Sequence, residues 1–365
     1  MMKINYLILL NFLFIFSISC QENTTYTTFI PANSNKINYQ GRIGAKDSLT
    51  ELYWPGSQIE INFNGTGING IFKDDKGDNY YNVILDNDSF RLLRPDTSKK
   101  EYVLATKLPD TLHNIKIYKR TEWNRGTTTF YGFITERGTE ISNPPPGKKR
   151  KMEFYGNSIT AGYGVEDFSG KDRSDSIYTN NYFTYAAFTA RHFDAECHYI
   201  VRSGIGIMMS WVPQIMPEIY QLTNPHLSRS FWDFSVYQPD IVVINLFQND
   251  SWLVKMPKSK EFQARYEGKK PPEETDIVGA YVQFVTSLRD KYPNAHIICM
   301  LGNMSITKIG SPWPGYVQEA VDFMNDPNIY TFFVPYKDTP GHPKIHEQRE
   351  MANKLIRFIE KNIQW

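Results

Sequence analysis

The pattern of apolar and polar positions changes rhythm once along this chain. From about Ile30 to Ile141 it runs in short alternating segments, among them Gln58–Phe63, Tyr80–Leu85, His113–Tyr118 and Thr127–Ile134. Turn-forming residues stand between them: Pro55-Gly56, Asn64-Gly65, Lys76-Gly77 and Asn124-Arg125-Gly126. Period-two runs at this spacing, with no helical stretch among them, predict an antiparallel β-sandwich over residues 30–142. Asn143–Arg150 contains three successive prolines, Pro144 to Pro146. Such a run neither continues a helix nor fits a central strand, so 143–150 reads as a linker.

After the linker the segments Met152–Tyr155, His198–Val201, Ile241–Leu246, Ile297–Leu301 and Thr331–Val334 are apolar without strict alternation. That is the signature of strands buried on both faces. Helical patterns lie between or after them, over Tyr182–Phe193, Ile277–Tyr292 and Pro343–Ile363, the second with Ile277, Ala280, Tyr281, Phe284 and Leu288 on one stripe. Strand alternating with helix predicts a parallel sheet covered by helices on both faces, a three-layer α/β/α domain over 151–365.

The first twenty residues have a different character. Lys3 precedes a nearly unbroken apolar run from Tyr6 to Ile18, too short to span a bilayer as a helix and right for the apolar region of a signal peptide. It ends Ser17-Ile18-Ser19-Cys20, which resembles a bacterial lipoprotein signal with Cys20 as the lipidated residue; plain secretion with cleavage nearby is the alternative. The expected location is the bacterial cell envelope, lipid-anchored and periplasmic or surface-exposed, or else the medium. Any membrane attachment then passes through the N-terminal lipid alone, since no second apolar span follows.

Composition narrows the chemistry. In 365 residues, 41% hydrophobic content is enough for a large core, and a net charge of +1 supplies no long-range field for a polyanion, so nucleic acid is not an expected partner. Three cysteines cannot build a disulfide scaffold or a four-ligand zinc site. Cys197 and Cys299 sit in strand-like apolar sequence and read as buried core thiols. Aromatic residues make up 15% of the chain, as in many β-rich and sugar-handling proteins.

In a parallel α/β domain reactive groups gather beyond the carboxyl ends of the strands. At the first such end stands Gly156-Asn157-Ser158-Ile159-Thr160-Ala161-Gly162-Tyr163-Gly164. A serine on a tight strand-to-helix turn has the exposure that an acyl-transfer nucleophile needs, although Ser158 could equally cap the following helix. The second strand runs into Arg202-Ser203-Gly204-Ile205-Gly206 and the third into Phe247-Gln248-Asn249-Asp250, offering the Gly204 N–H and the Asn249 amide as donors to a developing oxyanion. Near the C-terminus comes Asp338-Thr339-Pro340-Gly341-His342-Pro343-Lys344-Ile345-His346. Pro343 suits the first turn of the last helix and places His342 at its cap, where a neutral imidazole could take the Ser158 proton. His342 and His346, four apart, raise the competing possibility of a metal, against which stand the intervening proline, the lack of an HExxH run and the lack of an obvious third ligand.

These four blocks, GNSITAGYG, SGIG, QND and HPKIHEQREMA, appear in order, and their series resembles the SGNH hydrolases, also called GDSL-like esterases. The sandwich adds Gly41-Arg42, Trp54-Pro55-Gly56-Ser57, Phe63-Asn64-Gly65-Thr66 and Lys119-Arg120-Thr121-Glu122. A jelly-roll sandwich, a linker and an SGNH domain in that order resemble carbohydrate esterase family 2, acetyl esterases acting on polysaccharides. The resemblance implies Ser158 as nucleophile, His342 as general base, and an oxyanion hole made by the Ser158 and Gly204 N–H groups with the Asn249 side chain. It implies no metal or organic cofactor. The chain departs from the family pattern at Asn157, at Phe247 and Gln248, whose bulk could reshape the acyl pocket, and at Thr339, where an aspartate is expected three residues before the histidine. Asp338, one residue off, is the candidate orienting acid; otherwise a backbone carbonyl holds the imidazole.

The expected activity is removal of O-acetyl groups from an extracellular poly- or oligosaccharide through an acetyl-enzyme. A non-catalytic glycan-binding lipoprotein, an acyl hydrolase acting on a non-carbohydrate ester and a metal-dependent hydrolase are the alternatives. Among the tryptophans Trp123, Trp211, Trp252 and Trp313, any could stack on a sugar ring or simply pack in a core, and Trp252, just past the oxyanion block, is the first candidate for substrate binding.

Overall fold

The protein is described here by a computed structural model covering residues 27–365; Cys20 and the apolar leader lie outside the described residues. Two antiparallel sheets come first. One runs Gly44–Lys46, Leu49–Leu52, Thr128–Glu136, Ile68–Asp74 and Lys100–Ala105, with Thr27–Pro31 also paired to Thr128–Glu136. The other runs Glu140–Ile141, Gln58–Gly65, Thr111–Lys119, Tyr81–Leu85 and Ser89–Leu93, with Ile37–Gln40 also paired to Gln58–Gly65. Alternation places Ile59, Ile61 and Phe63 of one strand opposite Ile117, Ile115 and His113 of its neighbour. The apolar members of both sheets close on Phe72, Tyr81, Phe130 and Phe133 in a core of their own.

Residues 142–149 carry no strand or helix, and the second domain then opens with Arg150–Gly156. Its five strands are all parallel, in the order Ala195–Val201, Arg150–Gly156, Ile241–Asn245, His296–Leu301, Ile329–Phe333. Side chains from the central strands leave in opposite directions. Met152, Phe154, Ile241 and Val243 meet the face bearing Leu355 and Ile359 of the last helix, whereas Tyr155, Val242 and Ile244 meet the face bearing Tyr281, Phe284 and Val317. Both faces are therefore dry, which is why these strands show no alternation in the sequence. Cys197 and Cys299 are buried and unpaired, and burial pushes the Cys299 thiol up to about 12. Among the described residues no helix is long and apolar enough to cross a membrane.

Two helix boundaries differ from expectation. The segment Tyr182–Phe193 is a 3₁₀ turn, Asn181–Phe183, followed by an α-helix, Tyr185–His192; Thr184 between them is extended and its hydroxyl caps Ala187 N–H at 3.2 Å. The last helix spans Ile345–Asn362, with Lys344 as its cap and the Glu347 carboxylate accepting Lys344 N–H at 2.7 Å. His342 therefore precedes the helix instead of capping it.

The sandwich is fastened to the α/β/α domain by buried polar groups. Arg42 is fully buried and donates to Glu153 Oε1 (2.9 Å), to the Tyr155 hydroxyl (3.3 Å) and to the carbonyls of Tyr220 and Leu222. Trp54 Nε1 donates to Thr223 O at 2.9 Å, and the Tyr118 hydroxyl donates to Asn181 Oδ1 at 2.5 Å. An uncompensated charge at the Arg42 position would be costly, so this contact enforces a single relative orientation of the two units.

Candidate active site

The turn after Arg150–Gly156 explains both polar residues that follow it. Asn157 is extended (φ −103°, ψ −152°) and its side-chain oxygen accepts Ile159 N–H at 3.0 Å, so Asn157 caps the short helix Ser158–Ala161. That leaves Ser158, the first helical residue, free of the capping role. Its Oγ donates to His342 Nε2 at 2.8 Å across 184 residues of chain.

On the other side of the ring His342 Nδ1 lies 2.6 Å from Asp172 Oδ2, which also accepts the His342 backbone N–H at 2.7 Å. A carboxylate only accepts, so Nδ1 carries the hydrogen, and in the neutral ring Nε2 then presents its lone pair to Ser158. Asp172 is half-buried. Burial alone would raise its carboxyl, but the bonds from His342 and Lys344 outweigh that and hold it well below the usual carboxylate range. Lys344 Nζ reaches Asp172 Oδ1 at 2.8 Å and Gly164 O at 2.9 Å, tying the acid to the segment that carries the histidine.

Asp172 corrects the expectation placed on Asp338. The latter is exposed, in a left-handed turn (φ +54°), and does not meet the imidazole. Thr339, where the family pattern has its aspartate, gives its hydroxyl to Glu347. The orienting acid comes instead from the irregular loop after Gly164. There the buried Asp167 accepts from the N–H and hydroxyl of Ser169 and from the backbone and guanidinium of Arg173, so the chain on either side of Asp172 is pinned. No local sequence signal marks Asp172, which acts across 170 residues.

Ser158 and His342 share one cleft of about 290 Å³ with Gly204, Asn249, Trp211 and Trp252. Four larger cavities, of about 520, 510, 410 and 410 Å³, lie away from the pair, so geometry and not size selects the site. Gly204 has φ +81°, and a Cβ there would press on Trp211 Cβ at 3.1 Å, so only glycine fits this turn without strain. Asn249 Nδ2 donates to Ile205 O at 2.7 Å, which orients the amide and leaves its second hydrogen available. Asp250, one residue on, is fully buried and accepts the N–H groups of Ile207, Met208 and Met209 at 2.7 to 3.1 Å; burial raises its carboxyl to about 6.

Phe247 does not narrow the acyl pocket. It adopts the left-handed conformation (φ +70°) and is buried between Tyr281 and Trp313, with ring centroids 4.9 and 5.0 Å away. Gln248 is likewise turned inward, toward Ser305 Oγ and Ile306 N–H. Of the four candidate tryptophans, Trp123 and Trp313 are buried in the core, whereas Trp211, 40% exposed, and Trp252 flank the cleft. Trp252 Nε1 donates to Ser305 Oγ at 2.9 Å, which fixes the ring plane. Tyr163 adds a further ring, 4.8 Å from that of His342. As for a metal, both ring nitrogens of His342 are engaged, and the described residues hold no group of three His, Cys, Asp or Glu side chains placed to bind one.

A serine–imidazole–carboxylate line above a parallel sheet, with donors at two neighbouring strand ends, defines an ester hydrolase of the GDSL-like class. Residues 154–361 match the GDSL-like Lipase/Acylhydrolase family, and residues 39–145 match the Carbohydrate esterase 2 N-terminal domain. The chain belongs to carbohydrate esterase family 2. A family two carbohydrate esterase from Clostridium thermocellum, solved in complex with cellohexaose, is 31% identical and superposes with a TM-score of 0.78, over 89% of this chain and 98% of that one. The cellulase/esterase CelE of Acetivibrio thermocellus is 32% identical over 90% of this chain, which spans 40% of CelE's length. An acetylxylan esterase / glucomannan deacetylase of Cellvibrio japonicus is 22% identical over 94% of both chains.

Proposed function

We propose that this chain is a serine esterase that removes O-acetyl groups from an extracellular carbohydrate. The observation that carries the reading is the Ser158 Oγ–His342 Nε2 contact of 2.8 Å, with Asp172 behind the imidazole. Ser158 Oγ attacks the acetyl carbonyl while His342 Nε2 takes its proton, and Asp172 steadies the imidazolium. The oxyanion is received by the Ser158 and Gly204 N–H groups and the Asn249 amide. Collapse expels the sugar oxygen, which takes the proton back from Nε2. Water, deprotonated by the same nitrogen, then attacks the acetyl-enzyme and releases acetate and free Ser158.

The carbohydrate assignment draws on the relatives named for acetylxylan and glucomannan and on the cleft itself. Trp211 and Trp252 line that cleft and offer flat aromatic faces on which a pyranose can stack. Acetate release from acetylated xylan and mannan, measured for the native chain and for Ser158→Ala, tests the reading; equal release by both would end it. The lipid anchor at Cys20, and with it a place in the cell envelope, belongs to the same proposal. Incorporation of labelled palmitate that is lost in Cys20→Ser is the expected result, and secretion of an unlabelled chain would refute the anchor.

A further inference from the structure

The sandwich contributes more than an attachment surface. Glu122, in the Lys119–Glu122 segment at the sandwich edge, is 2% exposed, and its carboxylate crosses to the hydrolase domain. There Oε2 accepts the Ser203 backbone N–H at 2.5 Å and Oε1 accepts the Ser203 hydroxyl at 2.6 Å, with the Arg202 guanidinium 3.5 Å from Oε2. One side chain from the other domain therefore meets both polar handles of the residue immediately before Gly204.

Glu122 is itself held from within the sandwich. The buried Lys119 Nζ donates to Thr121 O (2.8 Å), to Glu122 O (3.4 Å) and to Asn79 Oδ1 (2.6 Å), and Asn79 Nδ2 bonds Asp74 Oδ2 (2.7 Å) and Gly126 O (2.9 Å). The segment is braced by a dry polar network, so the sandwich fold holds the Glu122 backbone, while the carboxylate it projects makes its own contacts with Ser203 and Arg202.

The loop needs such an anchor at this point. Arg202 N–H still reaches Gly156 O, at 3.2 Å. From Ile205 onward the hydrolase domain does its own holding, through Asn249 on Ile205 O and Asp250 on the N–H groups of residues 207–209. Ser203 and Gly204 lie between these two regions. Gly204 is in a conformation open to few residues (φ +81°), fixed on its far side by Trp211 N–H donating to Gly204 O at 2.8 Å. Holding the N–H and hydroxyl of Ser203 fixes its Cα and Cβ, and with Trp211 N–H on Gly204 O beyond, this narrows the rotation left to the peptide that carries the Gly204 N–H. An oxyanion donor stabilises the transition state only where its hydrogen is aimed in advance.

We propose that Glu122 is a positioning residue for the Gly204 oxyanion donor, so that the catalytic unit includes the sandwich. The inference rests on the esterase reading above and on Gly204 serving as a donor. Donor misalignment on the ångström scale costs rate and not ground-state affinity. Glu122→Ala should therefore lower kcat about 10- to 100-fold with KM within about twofold. Glu122→Gln should recover most of that loss, because its amide oxygen can accept Ser203 N–H while its NH₂ donates to the Ser203 hydroxyl. Affinity for a boronic acid, which forms a tetrahedral adduct on Ser158, should fall in Glu122→Ala by the same factor as kcat/KM.

Asn82→Ala removes a different cross-domain bond, Asn82 Nδ2 to Asn180 Oδ1 (3.3 Å), and should leave kcat unchanged. A folded Glu122→Ala with native kcat would overturn the proposal, as would a lowered kcat with undiminished boronate affinity. If Glu122→Ala does not fold, Ser203→Ala decides the matter: a drop in kcat of about tenfold with a parallel drop in boronate affinity supports the role, and native values overturn it. A native chain that cleaves no acetyl ester would instead sink the esterase reading, so the two failures are separable.

Discussion

The two sides of the cleft are built differently. On the donor side, the Ser203–Met209 loop is held by two buried carboxylates, Glu122 and Asp250, and by the buried amide of Asn249. On the base side, His342 is held by Asp172 and Lys344, whose side chains retain 22% and 13% exposure. Water is largely excluded from the first set of contacts and can reach the second. The proposed mechanism accounts for the contrast. Oxyanion donors act only if they are aimed before charge develops, whereas a base must exchange protons with a leaving group and with water, and so has to remain accessible.

Substitutions can break this comparison or sharpen it. The largest effect belongs to Ser158, where the two sides meet: Ser158→Ala should lower kcat by about 10⁴-fold or more while the far-UV spectrum and unfolding midpoint stay native. On the donor side, Asn249→Ala should reduce kcat about 10²- to 10³-fold with little change in KM, read from steady-state cleavage of p-nitrophenyl acetate. On the base side, Asp172→Ala should cost less, about 10- to 100-fold, because water reaches this partly exposed carboxylate and can replace some of its role; a larger loss than in Asn249→Ala would reverse the ordering of the two sides.

Acid should loosen the Arg42–Glu153 contact between the two domains. Burial would raise the Glu153 carboxyl, but the Arg42 charge, the His198 ring 3.7 Å away and the bond from the Tyr292 hydroxyl outweigh it and take it down to about 2. Because the folded value lies below the unfolded one of about 4.3, this contribution is present above pH 4.3 and is lost as pH falls toward 2. Urea unfolding of the native chain should therefore show a steeper loss of stability between pH 5 and 2.5 than Glu153→Gln does; parallel curves would refute the assignment. The smallest effect is reserved for Asp338. Asp338→Asn should leave kcat within about twofold, and a loss comparable to that of Asp172→Ala would restore Asp338 as the orienting acid.

Much of the architecture was legible without coordinates because it depends on periodicity. Alternating runs became the sandwich strands, and unbroken apolar runs became strands dry on both faces. Ser158, Gly204 and Asn249 were approachable for the same reason, since each follows a recognisable strand by a few residues. Phe247 was misjudged because its left-handed backbone turns the ring into the core, and no neighbouring residue announces that conformation.

Asp172 and Glu122 belong to a different category. Each is a single carboxylate in irregular chain, and each meets its partner across 170 and 81 residues, respectively. Short-range pattern settled which elements form and which strand ends can host chemistry, because side-chain period and turn preference are local properties of the backbone. Which carboxylate backs the histidine, and whether the sandwich reaches the catalytic loop, was decided by packing alone. Those contacts exist only once two sheets and two long loops have been brought into a common frame, and nothing in the residues adjacent to either acid encodes that frame.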